Sequence, residues 1–217
     1  MPRIRGASVE EHHEMVWADL AEALRRLLLE RDYDSINMGH IAARAGLARN
    51  TLYNYAPNKS ALVVALTRRA ARPAVERVAA IAARTAEPAG KRLREIVEAF
   101  LEASTDQAMQ LLFRPGSGPL VAELPKGPRS PFHAIVVEVE NVVRDGVAHG
   151  EFRDVGDVPL TVELLSGAMR AGAERISRNA ADVGPTVRAA QEIVLAALGQ
   201  RPEHGPQPGR RPARPHP

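Results

Sequence analysis

Leu20–Leu62 reads LAEALRRLLLERDYDSINMGHIAARAGLARNTLYNYAPNKSAL, and the punctuation of this stretch decides the fold. Asn37 is a helix-capping residue, and Met38, Ile41, Ala42 and Ala45 behind it supply the inward face of a short helix. Gly46 ends that helix, and Leu47 plugs the turn. A third helix starts at once in LARNTLYNYAP, with Leu52 pointing back into a small core and Pro57 closing it. Asn58 caps a fourth, whose first apolar positions are Leu62, Val63 and Leu66. Upstream, Trp17, Leu20, Leu24, Leu27 and Leu28 recur at steps of three and four and predict a first helix from Glu11 to Arg31, with Asp32 taking the turn conformation at its end. Three helices, the last two short and joined by a tight glycine turn, are the layout of a helix-turn-helix unit. In such a unit the second short helix enters the DNA major groove.

Downstream the helical pattern continues. Lys59 to about Arg84 is a fourth helix that Pro73 is expected to kink or split, and Glu87–Lys91 (EPAGK) is a break. Leu93, Ile96, Val97, Phe100 and Leu101 mark a fifth helix, and Met109, Leu111, Leu112 and Phe113 a short sixth. RPGSGP and LPKGPRSP then bracket a loop with little pattern. Phe132, Val136, Val139 and Val143 define a seventh helix ending near Gly150, and Val162, Leu165, Met169 and Ile176 an eighth. Gly184 and Pro185 open a ninth, which Gly199 ends. The expectation is an all-α chain of about nine helices. Residues 1–10 form a flexible arm, 11–57 a helix-turn-helix domain, 58–200 a larger helical body, and 201–217 a disordered tail.

The 217 residues hold no cysteine, which excludes disulfides, thiolate metal sites and thiol catalysis. Only 4% are aromatic, so the core is built from Leu, Val, Ile and Ala, and β-branched residues never gather into strands of period two. The amino terminus lacks a signal peptide's apolar segment and no apolar run is long enough to cross a bilayer, so a cytoplasmic protein without membrane partners is expected. The net charge of +3 says less than its placement. Between Ser35 and Val75 stand Arg44, Arg49, Lys59, Arg68, Arg69 and Arg72 and no acid, whereas acids crowd the first helix. A basic run of this kind points to nucleic acid, its alternative being a solvated face.

The matches IAARAG, TLY, Lys59 and Leu62 stand at the mutual spacings of a known pattern, and residues 20–62 resemble the amino-terminal domain of the TetR family of helix-turn-helix regulators. VRDGVAHGEFRDVGDVPLTVELLSGAM is similar to the junction of the seventh and eighth helices in many members. This chain departs from the pattern at Ala48, where Ser or Thr usually caps the recognition helix, at Asn50 for Gly, at Tyr55 for His or Phe, and at Ala56 for an aromatic.

Arg49 and Asn50 open the recognition helix, where Arg pairs with guanine and Asn with adenine. The resemblance adds Thr51, Tyr53 and Tyr55 as DNA contacts, the tyrosines through phosphate, and Lys59, whose ammonium and helix terminus would grip one phosphate. Arg44 is a phosphate candidate or a plain surface residue, and Asn37 is chiefly a cap whose helix end can face the DNA backbone. Twofold pairing of such heads predicts a homodimer on a palindromic double-stranded operator. The eighth and ninth helices are its interface candidates, through long apolar faces and the small residues Gly167, Ala168, Ala171, Gly172 and Ala173. Their alternative is ordinary core packing.

The resemblance further implies a sensor body whose hydrophobic or aromatic small-molecule effector releases a repressor. Leu93, Val97, Phe100, Met109, Phe113, Phe132, Val136 and Met169 are its pocket candidates, with Gln110, His133 and Asn141 for polarity, although most of them read more readily as plain core. No phosphate loop, metalloprotease histidine pair or nucleophile elbow supports an enzyme, and no clustered ligands support a metal or cofactor. The competing expectation is a helical small-molecule-binding protein that keeps this fold without its DNA role.

Overall fold

A computed structural model describes residues 8–199, so the expectations for residues 1–7 and for the 201–217 tail lie outside the described residues. The chain is all-α. Its helices are α1 Val9–Glu30, α2 Met38–Arg44, α3 Arg49–Tyr53, α4 Lys59–Ala82, α5 Ala89–Ala103, α6 Gln107–Phe113, α7 Gly118–Ala122, α8 His133–Ala148, α9 Val158–Arg178 and α10 Val183–Ala197.

The head forms as its caps and apolar spacing dictate. Ser8 accepts from the Glu11 amide at 3.1 Å and starts α1, whose buried stripe is Val16, Leu20, Ala23, Leu24 and Leu27. Leu20, Ile41, Leu52 and Leu62, one from each of α1 to α4, are fully buried and make the centre of the head core. Asp32 does not take a left-handed turn. Arg31 and Asp32 are extended and lead into a short 3-10 turn, Tyr33–Ser35, that buries the Tyr33 ring, so the chain leaves α1 without a positive φ.

The body differs from its expected outline in two places. α4 is one element through Pro73 rather than two; Pro73 lies on the exposed side, where the carbonyl that its missing N–H leaves free can turn to water. The Pro- and Gly-rich loop after α6 contains α7, begun by Pro119 in its first turn, and a 3-10 turn at Gly127–Arg129. Ten α-helices therefore stand among the described residues, and the expected seventh, eighth and ninth are α8, α9 and α10.

α5 packs against α4, α8, α9 and α10 at the middle of the body. Arg92 of α5, 2% exposed, donates to the carbonyls of Ala82 at 3.0 Å and Glu87 at 3.1 Å and pairs with Asp145 of α8. One guanidinium thus ties the end of α4 to α5 and α8. Glu151 caps α5 by accepting from the amides of Ala89 (2.9 Å) and Gly90 (3.1 Å). Beside it, a Cβ on Gly146 would fall 2.2 Å from the Phe152 ring, so only glycine fits this crossing.

Candidate DNA-reading face and neighbouring surfaces

α2 and α3 meet at Gly46, whose φ of +66° suits glycine and sets the tight turn. The Asn37 side chain accepts from the His40 amide at 3.0 Å while the His40 ring accepts from the Asn37 amide at 3.4 Å, a reciprocal cap that makes His40 a structural partner. Ala48 precedes α3 with no side-chain cap. The helix is held instead by Leu52, which is fully buried, and Ala56 just beyond it is buried as well.

Arg49 and Asn50 are exposed, Thr51 is half-buried, and Tyr53 is 42% exposed. Arg49 and Tyr53, one turn apart, share a face of α3, with the guanidinium 3.5 Å from the Tyr53 hydroxyl and 5.9 Å from its ring centre. Among the described residues no carboxylate pairs with Arg49, which leaves this face cationic.

The other three nominated side chains are engaged elsewhere. Tyr55 turns toward α1, its ring 4.8 Å from His13 and 5.3 Å from Trp17, and this burial raises its hydroxyl pKa. Arg44 makes two bonds to Glu30, at 2.7 and 2.6 Å, which hold that carboxyl below its usual range. Lys59 donates to the Tyr33 carbonyl at 2.8 Å and sits 3.8 Å above the Tyr33 ring, while Asn58 caps α4 by accepting from the Ala61 amide at 2.8 Å.

Sequence reasoning missed Tyr33. Besides holding Lys59, it donates through its hydroxyl to Glu123 at 3.0 Å, just beyond α7, and so joins head to body. Burial and that carboxylate push its hydroxyl pKa well up. A buried tyrosine after an acid-rich helix was the only available signal.

The nominated effector residues are packed. Leu93, Val97, Met109 and Phe113 are buried; Phe100, Gln110, Phe132, His133, Val136 and Met169 are partly so, and Asn141 is exposed. Phe100 and Phe113 meet edge to face at 6.3 Å. None of these residues lines either of two open cavities. One, of about 730 Å³, lies between α1, α4 and α6; the other, of about 610 Å³, lies between the end of α1 and the α6–α7 connection.

On the far side of the body, α9 leaves Leu160 (52%) and Leu164 (70%) exposed, followed by Gly167 and Ala171, and α10 leaves Ile193 (56%) exposed. The small residues of α9 therefore divide: Gly167 and Ala171 face outward, whereas Ala173 is buried and a Cβ on Gly172 would lie 3.1 Å from Leu101 within the same chain. Among the described residues no group of metal-ligating side chains assembles, and no helix is long and apolar enough to cross a membrane.

Residues 20–66 match the family model described as bacterial regulatory proteins, tetR family. No curated protein matches the chain. Several solved structures share its fold. The fatty acid degradation regulator FadR from Bacillus halodurans is 16% identical over 92% of this chain and 100% of its own, with a TM-score of 0.68. FadR from Bacillus subtilis, solved with stearoyl-CoA, is 16% identical over 86% and 99%, with a TM-score of 0.67. SmeT, the repressor of the Stenotrophomonas maltophilia multidrug efflux pump SmeDEF, is 19% identical over 89% and 96%, with a TM-score of 0.64.

Proposed function

We propose that this chain, whose residues 20–66 match the tetR family model, is a TetR-family regulator: a homodimeric, sequence-specific DNA-binding repressor released by a small molecule. The observation that carries this reading is α3: a short helix anchored by buried Leu52, set by the Gly46 turn, and offering Arg49, Asn50 and Tyr53 to solvent with no acid beside them. Arg49 and Asn50 read base edges, and Thr51 and Tyr53 contact phosphate or a thymine methyl. The exposed ends of α2 and α4, at Asn37 and Asn58, supply backbone donors for phosphates on either side.

Lys59 reaches phosphate by leaving the Tyr33 carbonyl, and Arg44 by leaving Glu30; both are exchanges of one charge-assisted bond for another. Tyr55 acts by packing the head against α1. Dimerisation uses the α9–α10 face, where Leu160, Leu164 and Ile193 are otherwise in water and Gly167 and Ala171 permit close approach by a second copy. Two heads on one twofold axis call for a palindromic operator. A hydrophobic effector acts on the body that α4 links to the head.

The test selects fragments of the source genome with purified protein and with an Arg49→Ala, Tyr53→Ala variant, both residues being exposed. A palindromic sequence recovered by the unaltered protein alone supports the reading. Equal, sequence-independent recovery by both at moderate salt leaves a general basic surface, or a helical binding protein without the DNA role.

A further inference from the structure

The 730 Å³ cavity between α1, α4 and α6 is built from two kinds of surface. Leu24, Val63, Leu112 and Leu120 are buried side chains that form its floor, and Trp17 and Leu111 are half-buried walls. Arg68, Arg69 and Arg72 of α4 stand at its edge with two acids, Glu14 and Asp106. Both acids are already engaged. Glu14 pairs with Arg69, whose guanidinium also lies 5.1 Å over the Trp17 ring. Asp106 caps α6, accepting from the amides of Ala108 (2.9 Å) and Met109 (3.2 Å).

Of the remaining two arginines, Arg68 is without a carboxylate partner among the described residues, and Arg72 shares Glu14 with Arg69 and faces Glu76. Arg68 donates to a neutral acceptor, the Arg129 carbonyl, at 3.1 Å, and among the described residues no carboxylate pairs with it. Arg72 meets Glu76 only at 3.6 Å, both side chains being well exposed, where such a pair contributes little. An apolar trough of ligand size whose edge holds three arginines against two lining carboxylates, with Arg68 left to a neutral acceptor, selects a molecule of matching polarity.

We propose that this cavity binds an amphipathic organic anion, with its apolar body in the trough against Trp17 and its carboxylate at Arg68 and Arg72. The site differs from the packed interior of the body, and it lies where α1 of the head meets α4 and α6. A ligand there holds the head in a position set by the ligand's own bulk. Its effect on operator binding rests on the DNA reading above, whereas binding itself does not.

Trp17 is the sole tryptophan of the chain, so its fluorescence reports this cavity directly. The full chain is titrated with decanoate and with decanol below their aggregation limits, alone and with operator DNA present. The expected result is a saturable change in Trp17 emission, with decanoate bound roughly tenfold or more tighter than decanol, the scale of one charge-assisted hydrogen bond. Arg68→Gln with Arg72→Gln removes that preference but keeps decanol binding. Ala21→Phe, which fills the trough, weakens both ligands; if this variant does not fold, the double Gln variant alone decides. Equal affinities for the two probes, no saturable change, or a preference that survives the double substitution overturns the proposal. If operator DNA is not bound even without decanoate, the DNA reading fails while the fluorescence titration still decides the cavity.

Discussion

The exposed face of α3 and the exposed face of α9 with α10 are both surfaces the chain leaves to water, yet they are unfinished in opposite ways. α3 offers Arg49, Asn50 and Tyr53, groups that lose little in solvent and gain when an anion arrives. The α9–α10 face offers Leu160, Leu164 and Ile193, each of which stays costly in water until something apolar covers it. One face can wait for its partner; the other needs a constant one. Under the proposed function, the contrast assigns the permanent contact to a second copy of this chain and the conditional one to DNA.

The largest break in this contrast is expected from Leu164→Glu. A charge on the most exposed leucine should leave a folded monomer, seen by sedimentation, and operator affinity should fall roughly a hundredfold to a thousandfold as the avidity of two linked heads is lost. A monomer that keeps full affinity would show that the face is not the dimer contact. Next, Arg49→Ala with Asn50→Ala should leave the dimer intact and cost about 1–3 kcal/mol for each lost base contact, measured by fluorescence anisotropy. Undiminished binding would remove α3 as the reading element.

A control separates these surface effects from the scaffold. Gly146→Ala should lower stability by about 1–3 kcal/mol, since its methyl group must displace the Phe152 ring; an unchanged urea midpoint would mean that the crossing relaxes freely. The smallest effect concerns α3 alone: Ala48→Ser should stabilise the head by about 0.5–1 kcal/mol, because the helix begins without a side-chain acceptor.

A pH titration sharpens the same division. The bonds from Arg25 and Arg26 hold the Glu22 carboxyl down at about 2, so this contribution is fully present above the ordinary carboxylate range near 4.5 and is lost as pH falls toward 2. Glu22→Gln should flatten that part of the Tm profile without altering dimerisation or operator binding near neutrality.

The head was legible because each boundary has its own chemistry: Asn37 and Asn58 accept amide hydrogens, Gly46 supplies a positive φ, and Leu20, Leu24 and Leu27 repeat at helical spacing. α7 was not, since five residues are too few to display a period. Of the kink or split expected at Pro73, the split does not occur, because a helix tolerates a missing donor where the freed carbonyl reaches solvent. Of the candidate site, the exposure of Arg49 and Asn50 followed from Leu52 pointing inward. The turning of Lys59 onto Tyr33 did not, because it depends on a carbonyl 26 positions away. Nor could apolar spacing distinguish a cavity wall from packed core, which is why Phe100 and Phe113 were nominated for a pocket and are found against each other.

Arg92 anchors one end of α4. Its guanidinium holds the Ala82 carbonyl and Asp145, so the carboxyl end of α4 is pinned to α5 and α8, while Lys59 at the other end belongs to the head. The 24 residues between make an arm about 36 Å long, and a swing of about 5° at the pinned end carries Lys59 through about 3 Å. A displacement of that size exceeds the 2.8 Å length of the bond that Lys59 makes to the Tyr33 carbonyl. Under the proposed function a small tilt at the pinned end would be magnified at the tip, and removing the pin, as in Arg92→Met, should weaken the effect of a bound effector on operator affinity, measured by fluorescence anisotropy.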